Sequence, residues 1–193
     1  MAKEIEVLVP VLDSKKSALQ ALKKFFFVGV EKVVDTYFYD PVRNNLKPDH
    51  LNRLNECFRA RRKGDKALIT YKVDHFVANT DTWLYSDEYE YEASDYKMAL
   101  ETIKHLGLKQ LIVVDSEKHV FKTDKYEIVF EDVKDLGLFL EVQSNYIAGS
   151  DSAIFGIKEE IRSFIKGLGI NTGKELNMGK AELMINMREA GKK

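Results

Sequence analysis

The chain has 193 residues, with 30 Lys and Arg against 31 Asp and Glu and a formal net charge of −1. That balance excludes a nucleic-acid-binding protein working by bulk positive charge, and 45% hydrophobic residues suffice for one buried core. The longest apolar runs, Phe25 to Val30 and Leu111 to Val114, fall far short of the roughly 20 residues of a membrane span, so neither a nucleic acid nor a membrane is the expected partner. The opening Met-Ala-Lys-Glu-Ile-Glu has no apolar signal segment, and Cys57 is the only cysteine, which together predict a reduced, cytoplasmic protein. Three prolines, no repeat and no Ser/Gly-rich stretch predict one domain over residues 1–193.

Residues Glu4 to Val11 alternate, with Ile5, Val7, Val9 and Val11 on one face and Glu4, Glu6 and Leu8 on the other, as in a half-buried strand. Asp13 or Ser14 then caps a helix reaching about Phe26, with Ala18, Leu19, Leu22 and Phe26 at helical spacing. A strand over Val33 to Tyr39 ends at the turn signal Asp40-Pro41, and Arg43 to Asn55 is a polar connection. Strands over Glu56 to Arg62 and Lys66 to Asp74 flank the hairpin loop Lys63-Gly64-Asp65. Trp83 to Ala93 is a further strand, and Asp95 caps a helix running to Gly107.

Leu111 to Ser116, His119 to Lys122, Tyr126 to Glu131 and Leu138 to Gln143 read as four more strands, with a turn at Lys134 to Gly137. Ser150 or Asp151 caps a helix striped by Ile154, Ile157, Ile161, Phe164 and Ile165, and Leu176 to Glu189 forms a weaker terminal helix. The pattern predicts an α+β protein with about eight largely sequential strands, an antiparallel sheet large enough to curl or close.

With the apolar side of each strand turned toward the helices, the other side is ionic. It carries Glu4 and Glu6, Arg59 and Arg61, Lys72, the run Glu88, Glu90 and Glu92, and then Glu127, Glu131 and Glu141. On an open sheet this is ordinary solvated surface. On a closed sheet these charges line an interior, where isolated ions are costly unless paired or bound. Arginine forks suit phosphate oxygens, and carboxylates suit hard cations such as Mg²⁺ or Mn²⁺, so a closed interior points to a polyphosphate bridged to carboxylates by a divalent metal.

Several segments occur in the order of a known family. They are Glu4-Ile5-Glu6 on the first strand, Asp35-Thr36-Tyr37-Phe38, Phe58-Arg59-Ala60-Arg61, Thr70-Tyr71-Lys72, Leu136-Gly137-Leu138-Phe139-Leu140-Glu141 and Lys180-Ala181-Glu182-Leu183-Met184. Together they resemble the CYTH superfamily of triphosphate tunnel metalloenzymes, most closely its class IV adenylyl cyclase and thiamine triphosphatase branch. The resemblance implies an eight-stranded antiparallel tunnel flanked by helices. It also implies Mg²⁺ or Mn²⁺ as cofactor and a triphosphate such as ATP, thiamine triphosphate or tripolyphosphate as substrate, either hydrolysed or, for ATP, cyclised to cyclic AMP and pyrophosphate. Glu4 and Glu6 would then be catalytic metal ligands alongside Glu141, Glu131 and Glu90, while Arg59, Arg61, Lys72 and Lys118 would hold phosphate. The protein would be a monomer or a homodimer.

The sequence also departs from that pattern. Leu8 replaces the signature lysine, Gln143 a late glutamate and Ser116 a basic residue, and Asp87 lies where an arginine is common. The alternative is a tunnel that binds nucleotide or polyphosphate without turnover. His50, His75, His105 and His119 lack zinc-ligand spacing, and no Walker loop or dinucleotide fingerprint occurs. Cys57, Trp83 and the tyrosines read as packing residues.

Overall fold

Alternation along the first strand decides the architecture. In a computed structural model, which describes residues 2–146 and 150–191, that strand is broken at Ile5 into β1 (Ala2–Glu4) and β2 (Glu6–Pro10). Then follow α1 (Lys15–Leu22), β3 (Phe26–Tyr39), β4 (Glu56–Lys63), β5 (Lys66–Phe76), β6 (Trp83–Ala93) and α2 (Tyr96–His105). The chain continues through β7 (Lys109–Lys122), β8 (Tyr126–Val133), β9 (Gly137–Ser144), α3 (Asp151–Lys166) and α4 (Lys180–Ala190).

One antiparallel sheet runs in the order β1-β6-β5-β4-β3-β7-β8-β9-β2. Its two ends are the two halves of the same N-terminal strand: Glu4 lies opposite Ser86 of β6, and Glu6 opposite Gln143 of β9. The Ile5 carbonyl at the break accepts a hydrogen bond from Ser144 N–H. The sheet therefore returns on itself, and with β1 and β2 counted as one strand it is the expected eight-stranded barrel. Closure removes the sheet edges.

The apolar sides of the strands face outward onto helices. Ile5, Val7 and Val9, with Ile128, Phe130, Leu140 and Val142, pack beneath α1 and α3 through Ala18, Leu22, Ile154, Ile161 and Ile165. A third cluster sets Ala60, Ala67 and Ile69 against α2 in the same way, whereas the second lies on the inner face at one end of the barrel and joins Leu8, Ile112, Val114, Val133 and Phe139 to Ala181, Met184 and Ile185 of α4. Ser14, Asp95 and Ser150 cap α1, α2 and α3 by accepting from the backbone N–H groups of Ser17, Met98 and Ala153. Among the described residues, no helix is long and apolar enough to cross a membrane.

Three differences from expectation bear on the fold. Helix α1 ends at Leu22, and Phe26 instead opens β3, because Phe26 to Val30 pairs with the far end of β7 rather than continuing the helical stripe. The expected strands over Leu111 to Ser116 and His119 to Lys122 are one strand, β7. The intervening charges do not mark a turn: Glu117 meets Lys15 at 2.9 Å outside the barrel, and Lys118 faces Glu131 at 3.7 Å inside. The terminal helix begins at Lys180 rather than Leu176, because the preceding segment runs alongside β2. There Gly173 N–H donates to the Pro10 carbonyl and Leu176 N–H to that of Leu8, both at 2.9 Å. A Cβ at Gly173 would lie 2.6 Å from Pro10 Cγ, so this docking requires glycine.

Candidate active site

Closure turns the ionic faces inward around a cavity of about 480 Å³. At one end α4 closes it, where Leu8 (2% exposed), Leu54 and Ala181 are buried together. Toward the other end the wall carries Val28, Lys122 and Glu127, and Lys122 is half exposed. All of the residues expected to act on a ligand, Glu4, Glu6, Arg59, Arg61, Lys72, Lys118, Glu90, Glu131 and Glu141, line this one cavity.

The bases and acids neutralise one another in three groups. Arg61 grips Asp35 through two bonds, Nε to Oδ1 at 2.8 Å and a terminal nitrogen to Oδ2 at 2.9 Å. Arg59 stands 3.8 Å from the same carboxylate, 3.5 Å from both Glu88 and Glu90, and donates to Thr70 at 2.9 Å. Lys72 bridges Glu4 and, at 3.7 Å, Glu6. Lys180, the first residue of α4, bridges Glu141 and, at 2.6 Å, Glu131. The Ser116 hydroxyl donates to the other oxygen of Glu131 at 2.6 Å, so this departure from the family pattern anchors an acid.

The protonation preferences follow from these neighbours. Burial would raise the carboxyls of Glu141 and Asp35, but Lys180 and Lys118 outweigh it for Glu141, as Arg59 and Arg61 do for Asp35, and both stay well below the usual carboxylate range. Glu6 moves the opposite way, raised by burial and by the nearby charges of Glu141 and Glu4. Burial and the neighbouring Arg61 lower the Lys118 ammonium. Among the described residues the buried Arg59 Nε has no acceptor.

Sequence reasoning left four contributors without a role. Asp35 and Lys180 lie within segments carrying the family resemblance, but only the fold shows that Asp35 faces the arginines and that α4 delivers Lys180 into the lumen. Trp83, expected to be a packing residue, lines the cavity with Lys72 and Lys158 at 5.5 and 5.6 Å from its ring. Glu182 accepts from the backbone N–H of Leu54 at 2.7 Å and from that of Gly179, securing α4, and burial pushes its carboxyl up to about 7. Cys57 also faces the lumen, and burial pushes its thiol up to about 12, far from a nucleophile's range.

A model of the CYTH domain matches residues 2–177. The chain belongs to the CYTH domain family. A Methanocaldococcus jannaschii protein named "Putative adenylate cyclase" is 26% identical over 184 residues, which cover 93% of this chain and 97% of that protein. The solved structure of a Pyrococcus horikoshii protein superimposes with a TM-score of 0.76 at 22% identity, covering 96% of this chain and 99% of the other. A Hippeastrum structure, described as a "Putative adenylyl cyclase" with a dominant triphosphatase activity, superimposes with a TM-score of 0.61 at 13% identity, covering 99% of this chain and 96% of that one. These two structural likenesses concern the fold.

The oxygen-rich wall has the donor chemistry of a hard divalent cation, since the carboxylates of Glu4 and Glu141 crowd that of Glu6 closely enough to raise it. Among the described residues no three such ligands converge in metal-holding geometry, and Lys72 holds one oxygen of Glu4 as Lys180 holds one of Glu141. Of the remaining departures from the CYTH pattern, Gln143 stands opposite Glu6 and lines the cavity, whereas Asp87 bonds His75 at 2.9 Å and is absent from the cavity wall.

Proposed function

We propose that this CYTH protein is a metal-dependent enzyme acting on a triphosphate held in the tunnel. The observation that carries this reading is the buried cation wall of Arg59, Arg61 and Lys118, in which Arg59 Nε has no acceptor and Lys118 is disfavoured as an ammonium. Each of these groups gains from an incoming anion. Arg59, Arg61, Lys72 and Lys118 would bind phosphate oxygens, while Glu4, Glu6 and Glu141, supported by Glu131 and more peripherally by Glu90, would hold Mg²⁺ or Mn²⁺. The cation would polarise the reacting phosphoryl group and screen its charge. The chain itself positions the anion against fixed charges and, through α4, keeps water from one end of the lumen.

Val120 lies directly opposite Val129, and with Val28 they place uncharged surface in the lumen. This wall suits the organic group of ATP or thiamine triphosphate better than bare tripolyphosphate. Leu8 favours a second reading. The place of the signature lysine is packed apolar against Ala181 and Met184, as in a tunnel that binds without turnover.

The deciding experiment incubates purified protein with ATP, thiamine triphosphate and tripolyphosphate in the presence of Mg²⁺, Mn²⁺ or EDTA, and resolves every product by chromatography. An EDTA-sensitive product that falls at least 100-fold in Glu4→Gln or Glu6→Gln is expected, on the order of losing a charged transition-state contact. Cyclic AMP would identify a cyclase and orthophosphate a hydrolase. Ligand-induced melting shifts without product would favour the binding protein.

A further inference from the structure

The lumen holds two kinds of cation. Arg61 is fixed, its planar fork matched to Asp35 by bonds of 2.8 and 2.9 Å. Lys72 and Lys180 are point charges on flexible stems, and each is shared between two carboxylates: Lys72 between Glu4 and Glu6, Lys180 between Glu131 and Glu141. Those four carboxylates include the oxygens that would hold a divalent cation. The lysines hold one oxygen of each, Glu4 Oε2, Glu6 Oε1, Glu131 Oε2 and Glu141 Oε2, and a metal binding through those oxygens must displace them.

A metal that took these oxygens would leave Lys72 and Lys180 as buried charges without partners, which is strongly unfavourable. A polyphosphate arriving alone would find the same two lysines already neutralised and would face the uncovered carboxylates of the wall. Each ligand therefore removes the obstacle to the other. We propose that Lys72 and Lys180 are exchangeable counter-ions that make the tunnel accept a divalent cation and a polyphosphate as a pair and discriminate against either alone. This rests on the triphosphate reading and assigns Lys72 and Lys180 the role of setting how strongly the two ligands depend on one another.

The proposal has a sign that ordinary ligand residues lack. If Lys180 only bound phosphate, its removal would weaken polyphosphate binding and leave binding of metal alone unchanged. As a counter-ion, its removal frees Glu131 and Glu141, so metal alone binds more tightly while polyphosphate binds more weakly. The coupling is reciprocal, because the change one ligand makes in the affinity of the other is equal in both directions.

The test titrates the full chain with Mn²⁺ alone, with tripolyphosphate in EDTA, and with both together after allowing for their association in solution. Calorimetry and the fluorescence of Trp83, the single tryptophan, whose ring lies 5.5 Å from Lys72, provide the readouts. In the wild type each ligand is expected to tighten the other by about tenfold or more, within the usual range of coupling between sites. In Lys180→Met, Mn²⁺ alone is expected to bind several-fold more tightly and tripolyphosphate several-fold more weakly. Lys72→Met repeats the test from the opposite wall, and the wild-type coupling stands as a test without any variant should either substitution unfold the chain. Mn²⁺ affinity unchanged or weakened in both folded variants would overturn the proposal. So would wild-type binding of tripolyphosphate in EDTA as tight as with Mn²⁺, although the triphosphate reading would then survive. No binding in any combination would overturn that reading and this inference with it.

Discussion

The outer and inner faces of the same strands are built from opposite materials. On β8, Ile128 and Phe130 point outward into a core with no exposed surface, while Val129 and Glu131, one residue along from each, point into the lumen. Along β9, Leu140 and Val142 alternate in the same way with Glu141 and Gln143. The outer face stabilises by removing apolar area from water, which is non-directional and tolerant of small shifts. The inner face is a set of buried ions whose mutual attraction little more than offsets their desolvation. Stability therefore resides mainly outside the barrel, and the capacity for chemistry inside it.

Phe130→Ala should produce the largest loss, about 3–5 kcal/mol by urea denaturation, because it opens a cavity in rigid packing and no second substitution nearby restores it. Asp35→Asn should cost nearly as much, about 3 kcal/mol, for a different reason: Arg59 and Arg61 lose their shared counter-charge. The two cases separate in the double variant. Asp35→Asn with Arg61→Met should recover at least half of that loss, since replacing a whole buried pair is often neutral. If it recovers nothing, the inner face is a source of stability after all.

Asp35 also has a pH signature. Its carboxyl is held below its ordinary value of 3.8, so its contribution is complete above that pH and is lost as the pH falls toward the lower folded value. Asp35→Asn should flatten stability below about pH 4 in acid titrations followed by circular dichroism.

Glu182 has the opposite sign. Its carboxyl is raised from 4.5 to about 7 by burial, so the folded state binds the proton more strongly and stability falls as the pH rises through that window. The slope should be at most about 1.4 kcal/mol per pH unit and should disappear in Glu182→Gln. The smallest effect is expected at the rim, where Lys66 meets Glu92 at 2.6 Å with both side chains about half exposed. Lys66→Ala should shift stability by less than about 1 kcal/mol, and less again in high salt.

Much of this was legible in the sequence because strand periodicity is local. The alternation of Glu4, Ile5, Glu6, Val7 and Leu8 sorts those residues onto two faces without reference to any neighbour. Asp13-Ser14, Asp95 and Ser150-Asp151 mark helix starts by chemistry that reaches only three residues along the chain, and the structure selects Ser14 and Ser150 within the two pairs. The start of β3 was not legible, because a run of five apolar positions interrupted by one glycine fits the end of a helix as well as a strand, and pairing with β7 decides between them. Nor was the continuity of β7, since Glu117 and Lys118 resemble a turn until their partners on α1 and β8 are in place.

The sequence by itself determined which side chains share a face, where helices begin, and that one face of the sheet would be ionic, because each depends on backbone geometry over a few residues. Only the tertiary structure decided that this face is an interior. Closure requires β1 to meet β6 while β2 meets β9, contacts spanning more than 80 residues that no local pattern encodes. The same is true of Lys180, which lies on a separate helix and enters the lumen only because Gly173 and Leu176 dock the preceding segment on β2. An ion's effect depends on what surrounds it, and those surroundings come from distant parts of the chain.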